Sequence, residues 1–220
     1  MQSFMMIETV SVADAVANEL RRRLLAGEYP GGKELRDTEL TEEFGAARPT
    51  IRAAVQMLVA DGLLERGRGR SARVRSFTAF DAVDLYRLRR PIELAAVRLI
   101  IEGNRPLTGI EKAADAFVAL PDAVTWEVVA DHDIAFHRSV LAAAASPRLL
   151  RTFNSVGAEL RLLIAQLRPA YRGANELAAE HAALLHALRA GKIRPALEAW
   201  QAHLGAAERF FLDLIKERGL

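Results

Sequence analysis

A chain of 220 residues, 51% hydrophobic and 26% charged, is too apolar to be disordered and long enough to bury a sizeable core in one large or two small domains. It contains no cysteine, which excludes disulfides, thiolate metal sites and cysteine nucleophiles and leads us to expect a reducing, cytoplasmic setting. The formal net charge of +2 points by itself to no partner, no apolar run reaches the roughly 20 residues that span a bilayer, and Met1 to Val10 does not read as a signal peptide.

In chain order, Val12, Val16, Leu20 and Leu24 recur every four residues and predict an amphipathic helix that stops at Gly27. Leu40 and Phe44 mark a short second helix ended by Gly45. A third begins near Pro49, where a missing N–H costs nothing, and carries Ile51, Val55 and Leu58 on its buried stripe up to Gly62. Leu63 to Arg66 and Ala72 to Arg75 are strand-like and flank the basic connection Gly67-Arg68-Gly69-Arg70. Between Arg48 and Ser76 the bases are Arg48, Arg52, Arg66, Arg68, Arg70, Arg73 and Arg75, against the acids Asp61 and Glu65. Two short helices, a tight turn and a basic hairpin are the arrangement of a winged helix-turn-helix. Its second helix would present Arg48, Thr50 and Arg52 to base edges in the major groove of double-stranded operator DNA. Arg68, Gly69 and Arg70 would form a wing tip close to the backbone or minor groove. A solvated charged face, or a winged helix that docks protein, is the alternative.

Composition shifts near Ser76–Ala79. We expect a first domain over 1–76, a link over 77–80 and an all-helical domain over 81–220. Prolines and the Gly191–Pro195 stretch divide the latter into six helices at 80–103, 107–120, 123–145, 147–168, 173–190 and 193–217, with Pro91 a candidate kink in the first. The fold class is therefore mainly α, a winged helix-turn-helix followed by an antiparallel six-helix bundle. All five histidines fall in the second half. Asp133 and His137, four apart, share one helix face, and His181 and His203 lie on later helices. One carboxylate and three imidazoles suit zinc best among divalent transition metals, with nickel, manganese or iron as alternatives. By spacing alone they are equally well ordinary half-buried histidines. A metal-dependent hydrolase is a further alternative, although no general base is evident beside the four.

The order Gly31-Gly32-Lys33-Glu34-Leu35, Glu39-Leu40, Phe44-Gly45, Arg48-Pro49-Thr50-Ile51-Arg52 and Asp61-Gly62-Leu63-Leu64 resembles the GntR superfamily of regulators. That resemblance implies operator contacts at Arg48, Arg52 and the wing tip. It departs from the family pattern at Arg36, Thr38 and Ala47. The run Leu85-Tyr86-Arg87-Leu88-Arg89-Arg90-Pro91-Ile92-Glu93, then Asp133 to His137, Glu180-His181 and His203-Leu204, resembles the FCD ligand-binding domain of the FadR branch, with Ser146 a departure. What this resemblance implies is a divalent metal on Asp133, His137, His181 and His203, and a small organic or sugar acid as effector. Two recognition helices must meet two half-sites about one turn apart, so we expect a homodimer, cytoplasmic and nucleoid-associated. Arg89 would clamp the effector's carboxylate or, alternatively, pair with Glu93, and Arg161 is a weaker candidate. The metal could instead be the signal itself. His132 and His186 match no ligand position.

Overall fold

The computed structural model describes residues 11–67, 71–121, 123–166 and 173–217. Arg68, Gly69 and Arg70, the expected wing tip, lie outside the described residues, as do the last two positions of the helix expected over 147–168. The chain divides into two compact units, Met1–Arg75 and Ser76–Leu220.

The first unit orders α1 (Val12–Leu25), β1 (Glu34–Arg36), α2 (Asp37–Phe44), α3 (Arg48–Ala60), β2 (Leu64–Arg66) and β3 (Ser71–Val74). Ser11 opens α1 with a capping box, its hydroxyl accepting from the Asp14 N–H. Val16, Leu20 and Leu24 are buried on α1, but Val12 is 66% exposed. The apolar stripe thus begins one turn later than its spacing predicts. Helices α1 and α3 pack together, and Leu20 on α1 and Ile51 and Leu58 on α3 are fully buried, each such side chain contributing about 1.5–3 kcal/mol. An ion pair from Arg21 to Asp61, at 2.6 Å, joins α1 to the end of α3. The strand order is β1-β3-β2, antiparallel throughout. Strand β1 is an addition to the elements predicted above. Its three residues carry little signal of their own and are held by pairing Leu35 with Ala72.

The second unit holds α4 (Ala79–Glu102), α5 (Thr108–Val118), α6 (Trp126–Ala143), α7 (Pro147–Gln166), α8 (Ala174–Arg189) and α9 (Ile193–Glu217). Thr78 caps α4 through a capping box with Asp81, so Ala79 and Phe80 are helical where a link over 77–80 is expected. Helix α4 continues through Pro91, which is exposed. Helix α4 packs along α9 and also against α6 and α7. Helix α5 lies between α6 and α8, and α8 meets α9. Of the consecutive pairs, α5 and α6, α6 and α7, and α8 and α9 pack on one another. Phe117, Val129, Leu177 and Ala178 form one apolar cluster between α5, α6 and α8. Around it the described helices enclose a small set of buried polar groups: Arg89, Glu93, Asp133, His137 and His181.

Candidate nucleic-acid interface and metal centre

Gly45 ends α2 at φ +60, a backbone state that an L side chain rarely adopts, and so lets the chain turn at once into α3. This places Arg48 and Arg52 exposed, and Thr50 half-buried, in the first turns of α3. The Arg52 Nε donates to the Asp37 carboxylate at 2.9 Å, and Asp37 is itself mostly buried at the start of α2. One helix of the pair therefore orients the base of the other. Arg48, Arg52, Arg36 and Thr38 line an open hollow of about 270 Å³ together with Glu34, Asp37 and Ser71. The basic stripe is partly balanced. Arg73, exposed on β3, is the register partner of both Glu34 on β1 and Glu65 on β2. Asp37 was not among the residues expected here. Its signal in the sequence is only an acid in the first turn of α2.

In the second unit, Asp133 and His137 stand one turn apart on α6, His181 comes from α8 and His203 from α9. The ligating atoms of the three imidazoles lie within 4.8 Å of one another. The His137 Nε2 is 3.2 Å from the His181 Nε2 and 3.4 Å from the His203 Nε2. The Asp133 Oδ1 is 3.2 Å from the His181 Nε2 and 3.9 Å from the His137 Nε2. Ligand bonds of about 2.1 Å put neighbouring donors roughly 3.0–3.4 Å apart, so three of these spacings fit a shared cation and the 3.9 Å from Asp133 to His137 is longer.

The far side of each ring explains why the four converge. The His181 Nδ1–H donates to the Leu177 carbonyl at 2.7 Å, and that acceptor fixes the tautomer because a carbonyl cannot donate. The His137 Nδ1–H donates to Glu93 Oε2 at 2.7 Å, and the His203 Nδ1–H to Glu180 Oε2 at 3.1 Å. With Nδ1 so engaged, each ring turns its Nε2 toward the others and toward the Asp133 oxygen. Such an arrangement is repulsive unless a proton or a cation sits between the lone pairs. Burial drives the His137 pKa down to about 4, so at neutral pH the His137 Nε2 itself is not protonated. A divalent ion fits the donor set.

Glu93 on α4 was expected only as a partner for Arg89. It takes three donors: His137, the Arg89 Nε at 2.8 Å and the Trp200 indole N–H at 3.3 Å. Burial pushes its carboxyl up, but His137 and the Arg89 guanidinium hold it at about 2. Arg89 is 2% exposed and remains charged. Burial disfavours its charge, and the neighbouring Glu93 more than offsets this. Its Nη1 donates to the Tyr86 hydroxyl at 3.4 Å, and its Nη2 has no protein partner. Arg89, Asp133 and His203 line one cavity with Tyr86, Trp126 and Phe211. Arg161 is not among the residues lining that cavity. It pairs instead with Asp131. His132 bonds through Nδ1 to the Val128 carbonyl, one turn back on its own helix.

A small winged helix-turn-helix followed by a helical bundle with a buried polar centre defines a two-domain class of bacterial regulator. The model of bacterial regulatory proteins of the gntR family matches residues 12–74, and the FCD domain model matches residues 84–206. The chain belongs to the GntR family, in its FCD-domain branch. It is thus a DNA-binding transcriptional regulator that responds to a ligand, and not an enzyme. It is similar to the "Probable D-xylose utilization operon transcriptional repressor" of Paenarthrobacter nicotinovorans, at 29% identity over 89% of this chain and 87% of that one. It is 34% identical to the regulator YdhC of Bacillus subtilis, over 43% of each chain. It is also similar to a solved structure described as a GntR-type transcriptional regulator of Rhodococcus sp. RHA1. There the identity is 28% and the TM-score 0.79, over 93% of this chain and 99% of that one.

Proposed function

We propose that the chain is a homodimeric regulator whose FCD domain holds a divalent metal on Asp133, His137, His181 and His203 and binds a small carboxylate beside it. The observation that carries the reading is the set of three Nε2 atoms, each fixed by a hydrogen bond on the opposite ring nitrogen, facing one carboxylate oxygen. A bound ion would supply open positions for hard oxygen ligands. The Arg89 Nη2, buried and unpartnered on the wall of the same cavity, would then receive a carboxylate. Two relatives support a small-molecule effector by their names: the D-xylose repressor above, and the galactonate operon transcriptional repressor of Escherichia coli, 26% identical over 64% of this chain and 70% of that one. In the first unit, Arg48, Thr50 and Arg52 would read base edges, and Arg68, Gly69 and Arg70 would follow the backbone.

The test is thermal melting of the intact chain, loaded with zinc or chelated, with and without small carboxylates. Chelation lowers the melting temperature, and a carboxylate raises it only in the metal-loaded protein. A ligand at about 100 times its Kd adds about 2.7 kcal/mol, which such a scan resolves. A chain that neither retains metal nor responds to zinc would falsify the metal assignment.

A further inference from the structure

A cation held by buried donors leaves most readily where one donor can swing aside and water can follow. Two of the four converging side chains are poorly placed for this. His137 and His181 are fully buried, and their outer nitrogens are bonded to the buried Glu93 and to the Leu177 carbonyl of α8. His203 differs. Its side chain is 8% exposed, and Glu180, which accepts from its Nδ1–H, is 43% exposed. Asp133 is also 8% exposed, on the side of the cavity it shares with Arg89.

An open groove of about 290 Å³ lies between α8 and α9 at the Glu180–His203 pair. Its lining includes Glu180, His203 and four alanines: Ala183 on α8, and Ala199, Ala202 and Ala206 on α9. Both helices are described along the whole of it. A single methyl group at each of the four positions leaves space for the imidazole to rotate outward. His203 lines this groove and also the cavity that holds Arg89 and Asp133, so one side chain stands between the two. The exposed Glu180 carboxylate at the same place draws cations toward it.

We infer that the groove between α8 and α9 is the passage by which a hydrated divalent cation enters and leaves the four donors. His203 is its gate, and the bond from His203 to Glu180 is the latch. This rests on the metal reading above and adds a route to it.

The experiment is zinc exchange of the full chain, followed by rapid mixing with an excess of chromophoric chelator, and zinc uptake by the chelated chain. The variants are Ala183→Leu and Ala202→Leu, which fill the groove from opposite helices. Ala182→Leu is the control, since Ala182 is exposed on α8 and is not among the residues lining the groove. Leucine is a strong helix former, so these exposed positions accept it. The expected result is that both groove variants release zinc about 10-fold or more slowly and take it up more slowly by the same factor, with Kd unchanged, because a barrier crossed in both directions alters rates and not the equilibrium. The control exchanges zinc as wild type does. Groove variants that exchange zinc at the wild-type rate, or a control slowed as much as they are, overturn the inference and leave the metal site standing. A change in Kd that accounts for the slower release also overturns it, because the leucines then act on the donors and not on a passage. If the wild-type chain binds no zinc, the metal site itself falls and the inference falls with it.

Discussion

Glu93 is fully buried, yet it carries a charge. An unpaired carboxylate in that position would be strongly destabilising, and three donors from three helices make it tolerable: Arg89 on α4, His137 on α6 and Trp200 on α9. The same three bonds give it a positioning role, since it fixes the His137 tautomer and holds Arg89 by Nε with Nη2 left over. Glu93→Gln therefore weakens metal affinity by about 10–100-fold, read by competition against a chromophoric chelator. Unchanged affinity in a folded variant would show that Glu93 serves packing alone. Glu180 is the corresponding partner of His203 and is more exposed, so the rim of the site is less constrained than its floor.

At the scale of elements, the helix-turn-helix is built from short pieces with weak intrinsic ends. Helices α2 and α3 begin at Arg36 and Ala47 without a side-chain cap bond, whereas α1 and α4 begin with capping boxes at Ser11 and Thr78. Packing of α3 on α1 holds the short helices in place instead, and the pair of Asp37 with the half-exposed Arg52 adds little. The uncapped N-terminus of α3 leaves backbone N–H groups available to a phosphate. Two outcomes follow for Arg52→Ala in a DNA-binding assay on the operator. Specific binding is lost while the unfolding free energy stays within about 0.5 kcal/mol of wild type, as for an exposed side chain. If the lost contact is to a phosphate, the slope of log affinity against log salt falls by about 0.9 as well. A variant that still protects the same operator rules out this placement of the recognition helix.

At the scale of the molecule, one winged unit reads one half-site, and half-sites lie about 34–36 Å apart on the duplex. The proposed homodimer would place one winged unit on each of two such half-sites. Sedimentation equilibrium of the 24.2 kDa chain is expected to return twice that mass at micromolar concentration, with DNA and effector absent. A monomer under these conditions would exclude a preformed dimer as the operator-binding species. Among the described residues no helix is long and apolar enough to cross a membrane.

Much of this architecture was legible in the chain. Helical spacing marked nine segments that are helices in the structure, because an amphipathic stripe is a local pattern set by the 3.6-residue turn. Asp133 and His137 declared a common face by their separation of four, and Gly45 and Pro49 marked the turn between two helices for reasons internal to the backbone. Only tertiary structure decided the rest. Strand β1 exists because β3 supplies its partner, and three residues alone cannot announce that. Val12 is exposed although its spacing matches the stripe, because burial depends on what packs there. Arg161 carries the right chemistry for an anion clamp but meets Asp131, whereas Arg89 binds Glu93 and keeps one nitrogen without a protein partner. The bond from His137 to Glu93 spans 44 positions, and the apolar walls around the cavity lined by Arg89, Asp133 and His203 come from five helices. Residue type and spacing determine which donors a chain has. Which of them meet, and what surrounds them, is set by the packing of helices distant in sequence.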